Sequence, residues 1–88
     1  MAIVRLRAPL SDLAGGNREV TIDGASVGEV LQELERQHPR IEGWVLDEHG
    51  RVRLHVNVFV NGERVREDAA VASDATVHVL PSISGGER

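Results

Sequence analysis

The sequence predicts an α+β fold, a mixed sheet of four to five strands with one main helix laid on one face. Three observations predict it. Several short runs alternate apolar and polar residues, the period of half-buried strands. One run, Ser26 to Gln37, repeats instead at helical spacing. The chain has 88 residues, and a chain of that size buries roughly 60–68% of its unfolded surface, enough for a single modest core.

Residues 2–8 open the chain as a strand, with Val4 and Leu6 on one face and Ile3, Arg5 and Arg7 on the other. Pro9 to Asn17 holds Pro, Ser, Asp, Gly-Gly and Asn, the composition of a loop. Alternation resumes at Arg18 and runs to Ile22, with Val20 and Ile22 inward, so the two strands form a hairpin with a long loop. Asp23-Gly24-Ala25 breaks the second strand. Ser26 and Glu29 then stand at capping-box spacing, where each side chain satisfies a free N–H at a helix start. Val27, Val30, Leu31 and Leu34 make the apolar stripe, and Gln32, Glu33, Glu35 and Arg36 lie on the other faces. Pro39 disfavours helical angles in the residue before it, which ends the helix near Gln37.

Ile41 and Trp44 are expected to pack the next segment back onto the core. Asp47 to Gly50 reads as a turn. Arg51 to Val60 is the clearest strand, with Val52, Leu54, Val56, Val58 and Val60 on one face and Arg53, His55, Asn57 and Phe59 on the other. Asn61-Gly62 signals a hairpin, because both residues tolerate positive φ. Val65 starts a short return strand. Residues 66–75 hold Ala69, Ala70, Val71 and Ala72, too few for more than a turn or two of helix, and Ser73-Asp74 resembles another turn. Thr76 to Leu80 is the last strand, with Val77 and Val79 inward, and Pro81 ends it. A helix after two strands must cover one sheet face to bury its stripe. A β-grasp roll satisfies this order economically, whereas a ferredoxin-like arrangement needs a second helix. The expected organisation is one domain over 1–81 and a flexible C-terminal tail over 82–88.

Composition narrows the function. Hydrophobic residues make up 41% and charged residues 27%, ordinary for a globular domain. The net charge of −4 argues against a nucleic-acid partner, which calls for a basic surface. No stretch approaches the ~18 apolar residues of a membrane span. The first residues lack a basic region followed by an apolar stretch, so no signal peptide and a cytoplasmic location are expected. Cysteine is absent, which removes disulfides, thiolate metal sites and cysteine nucleophiles together. All ten basic residues are Arg; without a Lys amine the chain cannot build polymers of itself through Lys isopeptide bonds.

Two stretches carry a resemblance. His55-Val56-Asn57-Val58-Phe59-Val60-Asn61-Gly62-Glu63 looks like a long central strand and turn, and Val77-His78-Val79-Leu80-Pro81-Ser82-Ile83-Ser84-Gly85-Gly86 like a last strand and tail. Together with the element order they resemble the ubiquitin-like sulfur-carrier family, the type of the molybdopterin synthase small subunit, ThiS and CysO. The long third-strand region is most similar to the cysteine-pathway type. The resemblance implies that the chain is not an enzyme but the substrate of one. Gly85 and Gly86 would be the adenylation and thiocarboxylate site. Glycine suits a chain end that must thread a narrow channel, since it has no Cβ.

The resemblance also implies the partners: a ubiquitin-activating-type adenylating enzyme that uses ATP and Mg²⁺, a sulfur donor and an acceptor synthase. The carrier itself would bind no cofactor. Glu87-Arg88 follows Gly86, so activation requires cleavage after Gly86, which in some members of the family a JAMM-type zinc peptidase performs.

Partners would grip the face of the sheet that the helix leaves open. In a β-grasp sheet the last strand lies between the first and third. The outward residues would be Ile3, Arg5 and Arg7, then His55, Asn57 and Phe59, then Thr76, His78 and Leu80. Phe59 and Leu80 are large apolar groups there, and exposed apolar patches mark interaction sites. Pro81 and Ile83 extend that surface into the tail. His55 and His78 are candidate neighbours across two strands, but no third ligand for a zinc site is evident. They are read as surface His flanking the patch, and they make partner binding mildly pH-sensitive. Two other classes remain. One is a ubiquitin-like protein modifier, conjugated through Gly86 to lysines of target proteins. The other is a binding module that uses only the sheet face.

Overall fold

The computed structural model describes residues 1–81. Strand β1, Ala2–Leu6, buries Ala2, Val4 and Leu6 and turns Ile3 and Arg5 outward. Strand β2, Glu19–Ile22, pairs antiparallel with it, Val4 opposite Val20. Strands β3 (Val56–Val60) and β4 (Glu63–Val65) form a second antiparallel pair. Strand β5, Thr76–Pro81, lies between the pairs, parallel to β1 and antiparallel to β3. The sheet order is β2-β1-β5-β3-β4, which sets the last strand between the first and third as expected. Val79 lies opposite both Leu6 and Val58, and Val77 opposite both Val4 and Val60. These rows form the inner face.

The main helix spans Val27–Gln37, preceded by a four-residue turn of helix at Leu10–Leu13, so it is numbered α2 and the turn α1. Val27, Val30, Leu31 and Leu34 of α2 are fully buried against the sheet. Each such side chain contributes about 1.5–3 kcal/mol over leaving it in water.

Helix α2 starts where capping chemistry demands. The Ser26 hydroxyl accepts from the Glu29 N–H at 3.2 Å, and the Glu29 carboxylate accepts from the Ala25 N–H at 3.0 Å. The reciprocal bond thus reaches one residue further back than the usual box, whose acid returns to the cap itself. The remaining free amides are met from a distant segment. Val27 N–H donates to the Ala69 carbonyl at 2.9 Å and Gly28 N–H to the Glu67 carbonyl at 2.8 Å. Residues 66–71 are therefore not helical; their carbonyls terminate α2, whose first amides have no partner of their own. Gly24 lets the chain turn in tightly there: a Cβ on it would stand 2.8 Å from the Val30 amide nitrogen.

Several expectations fail for physical reasons. The 9–17 loop contains α1, which tucks Leu10 and Ala14 into the core. Pro39 ends α2 but opens a 3-10 turn, Pro39–Ile41, because proline tolerates the first position of a helical turn. Ile41 is buried as expected, but Trp44 is not; Val45 and Leu46 fill the core in its place. The 51–60 run is not one strand. Its first half forms a small ribbon with residues 45–47, bridged at Leu46 and Val52, and only Val56–Val60 joins the sheet. Leu54 falls in the turn between them and faces water. Pro81 belongs to β5 rather than ending it. Strand β1 pairs only as far as Val79, so no neighbour on that side needs a donor from proline.

Candidate functional site

The open face of the sheet is built by register. Arg5, His78, Phe59 and Arg64 fall in one row across β1, β5, β3 and β4, and Glu19 of β2 closes the row beside Arg5. The Arg5 guanidinium lies 3.5 Å from the Glu19 carboxylate. Toward the end of β5, Leu80 stands opposite Asn57 and Pro81 opposite Val56. Ile3 and Thr76 form the row on the other side. Phe59, Leu80, His78 and Asn57 are all half-buried, so the patch is recessed among polar neighbours rather than fully exposed.

An open cleft of about 780 Å³ continues from this face, over the end of β1 and the α1 loop. Leu80 and His78 line one side, and Arg5, Arg7 and Arg18 bring positive charge, with Asp12 and Glu19 opposing it. Asp12 comes from a segment read only as a loop and Arg18 from the start expected for the second strand, and no sequence signal assigned either to this cleft. Arg7 is exposed beyond the end of β1 and reaches the site through the cleft.

His55 is displaced from the expected face. It sits in the turn before β3, four positions before Phe59, while His78 pairs with Phe59 itself. The two histidines are therefore not neighbours. Among the described residues no group of three or more His, Asp or Glu is placed to hold a metal ion. Ile83, Gly85, Gly86 and Glu87 lie outside the described residues. What is described is their root: Pro81, at the end of the central strand, next to Leu80 of the cleft and opposite Val56.

The ribbon before β3 is held by two carboxylates. Glu35 of α2 accepts from the Val45 and Leu46 amides at 3.2 and 3.0 Å. Glu67 accepts from the Val52 N–H at 2.9 Å, and that bond is the main cause holding its carboxyl below the usual range. At the ribbon's turn, Asp47 accepts from the Arg51 and His49 amides. The Arg51 bond leads in lowering its carboxyl too. On α2, Arg36 and Gln37 bond to Glu33 and hold its carboxyl down to about 2.

A β-grasp sheet with an open, half-apolar face and a Gly-Gly segment four and five residues past its central strand defines a small ubiquitin-like protein. Sequence and structure comparisons identify its kind. The ThiS family matches over residues 4–86, and the chain belongs to that family. It is 36% identical to small archaeal modifier protein 1 of Haloferax volcanii over 84 residues, 93% of this chain and 97% of that protein. It is 33% identical to the sulfur carrier protein CysO of Mycobacterium tuberculosis over 78 residues, 82% of this chain and 84% of that one. The fold superposes on a crystal structure of the Amycolatopsis orientalis BexX/CysO complex with a TM-score of 0.88 and 29% identity, covering 98% of this chain and 100% of that one. The chain is thus of the non-catalytic, carrier or modifier kind. No helix among the described residues is long and apolar enough to cross a membrane.

Proposed function

We propose that this protein is a sulfur carrier whose working group is the carboxylate of Gly86, freed by cleavage before Glu87. One observation carries the reading: the family match runs through residue 86 and stops there, leaving Glu87-Arg88 outside it. Other features support it. With no cysteine in the chain, a sulfur atom can be carried covalently only at a chain end. A carboxylate is a poor electrophile, so a partner enzyme first joins it to the AMP portion of ATP, with Mg²⁺, and releases pyrophosphate. A sulfide equivalent from a donor then displaces AMP and leaves a thiocarboxylate, whose sulfur passes to an acceptor synthase. A zinc peptidase of the JAMM type fits the cleavage step. The open face around Phe59 and Leu80 is the surface the adenylating enzyme grips.

A second reading rests on the similarity to a small archaeal modifier protein. There the same Gly86 adenylate would form an amide with lysines of other proteins. Mass spectrometry of the protein isolated from its host separates the two. A carrier appears as a species ending at Gly86 with one oxygen replaced by sulfur. A modifier appears as high-mass conjugates with Gly86 in amide linkage. An intact Glu87-Arg88 end under active sulfur transfer defeats both. For the surface, Phe59→Ala is expected to raise KM for the carrier in adenylation while the domain stays folded. Unchanged kinetics in the folded variant would remove Phe59 from the interface.

A further inference from the structure

Ser11 is the one buried polar side chain among the described residues, 6% exposed, and it lines the cleft beside the end of β1. Its hydroxyl has no hydrogen-bond partner among those residues, and a buried polar group without a partner calls for one. Two cations are held at the same place. The Leu6 N–H donates to the Arg18 carbonyl at 2.8 Å, and the Ser11 N–H donates to the Arg7 carbonyl at 3.1 Å. These two backbone bonds bring Arg7, Ser11 and Arg18 to one end of the cleft. Arg5 is matched by Glu19. Arg7, Arg18 and Asp12 are exposed and form no ion pair among the described residues. A hydroxyl donor beside two guanidinium groups suits a carboxylate, and Asp12 suits a cation next to it.

The chain itself holds a segment of that charge. Leu6 pairs with Val79 in parallel register, so Arg7 and Leu80 leave the sheet side by side, and both line the cleft. Residues 82–88 follow from this rim and lie outside the described residues. Their one acidic residue is Glu87, and Arg88 adjoins it. Ser84-Gly85-Gly86 has the composition of a chain reversal, and three residues suffice for one. A reversal there returns Glu87 toward the rim instead of carrying it about 20 Å away on an extended chain. A tether this short gives an effective concentration on the order of millimolar. An acidic segment of another protein must compete with that.

We propose that the cleft is the docking site of the chain's own Glu87-Arg88 segment. The Glu87 carboxylate accepts from the Ser11 hydroxyl and pairs with Arg7 and Arg18, and Arg88 faces Asp12. The contact goes beyond the reading of Gly86 as the working end and does not depend on it, since it needs only that Glu87 is joined to Gly86. On that reading, cleavage before Glu87 also empties the cleft, so cut and uncut chains present different surfaces beside Leu80.

NMR of the 88-residue chain and of the chain ending at Gly86 tests this without any partner enzyme. The two spectra are expected to differ at the amides of Arg7, Ser11 and Arg18 and at the Nε–H signals of both arginines, and about 0.5 M NaCl to shrink the difference. The Glu87 amide is expected to show an order parameter above about 0.6. Glu87→Arg should bring it below that value, and the triple exchange Arg7→Glu, Arg18→Glu and Glu87→Arg should restore it. Thermal unfolding checks each variant; Glu87→Arg alone decides if the arginine variants fail to fold. Matching spectra for the two lengths, with a mobile Glu87, overturn the proposal. So does a failure of the folded triple variant to restore order. A length difference that fades on dilution overturns it as well, because the cleft then holds Glu87 of a second copy.

Discussion

The two halves of the run from Arg51 to Val60 look alike in sequence and behave differently in the fold. Both alternate Val or Leu with a polar or aromatic residue. The second half, β3, pairs on both sides, with β4 and with β5, and buries Val56 and Val58 under α2. The first half pairs only with residues 45–47, through one bridge, and depends on side-chain carboxylates for its remaining amides. Alternation reports that one side of a segment is covered. It does not report what covers it, nor whether the segment continues in one direction. Where the chain passes from one partner to the other, at Leu54 and His55, the pattern continues in sequence while the side chains turn to solvent.

The sharpest test of this contrast is in the inner half. Val58→Ala removes two buried methyl groups from the centre of the sheet, where Val58 faces Val79 and is 1% exposed. It is expected to lower stability by about 1–3 kcal/mol, measured by urea unfolding at constant m. A loss no larger than that of a surface substitution would mean that β3 is not the structural half.

A smaller and more local effect is expected in the outer half. Glu67→Ala leaves the Val52 N–H without its acceptor and is expected to cost about 1 kcal/mol. The loss should appear first as faster amide exchange at Val52, with Val58 still protected. Acid gives the same result without a mutation. The Glu67 and Asp47 carboxyls have folded-state pKa values below their ordinary ones. Their stabilisation is therefore full above the unfolded values and is lost as pH falls through the folded ones. Below about pH 4 the ribbon amides of Arg51 and Val52 should lose protection before those of β3. Equal loss in both halves would show that they open as one unit.

The smallest effect on folding belongs to Leu54. At 92% exposure it gives up almost nothing on replacement, so Leu54→Asp is expected to leave stability within about 0.5 kcal/mol. A marked loss of stability would instead place Leu54 in the folding core and end the comparison.

Sequence alone determined the parts whose structure is local. Ser26 and Glu29 start the helix through their own side chains. Asn61 and Gly62 take φ values of 50° and 89° in the hairpin between β3 and β4, where positive φ is easiest for those residue types. Val4, Leu6, Val77 and Val79 mark their strands because a pleated strand has a period of two. The Gly85-Gly86 segment is legible as a motif from residue type and its place after the last strand alone, and it enters the proposed function on that footing.

Only the tertiary structure decided features that depend on residues far apart. Leu10 is buried because α1 folds against the 3-10 turn. The carbonyls of Glu67 and Ala69 finish a helix some forty residues earlier in the chain. His55 and His78 are parted by register, and Trp44 and Leu54 are brought together by one backbone bond across a ribbon. Residue type sets which side of an element is covered, because burial of apolar surface is non-directional and needs no particular partner. Hydrogen bonds between distant segments choose the partner, and that choice set the ribbon beside the root of the tail.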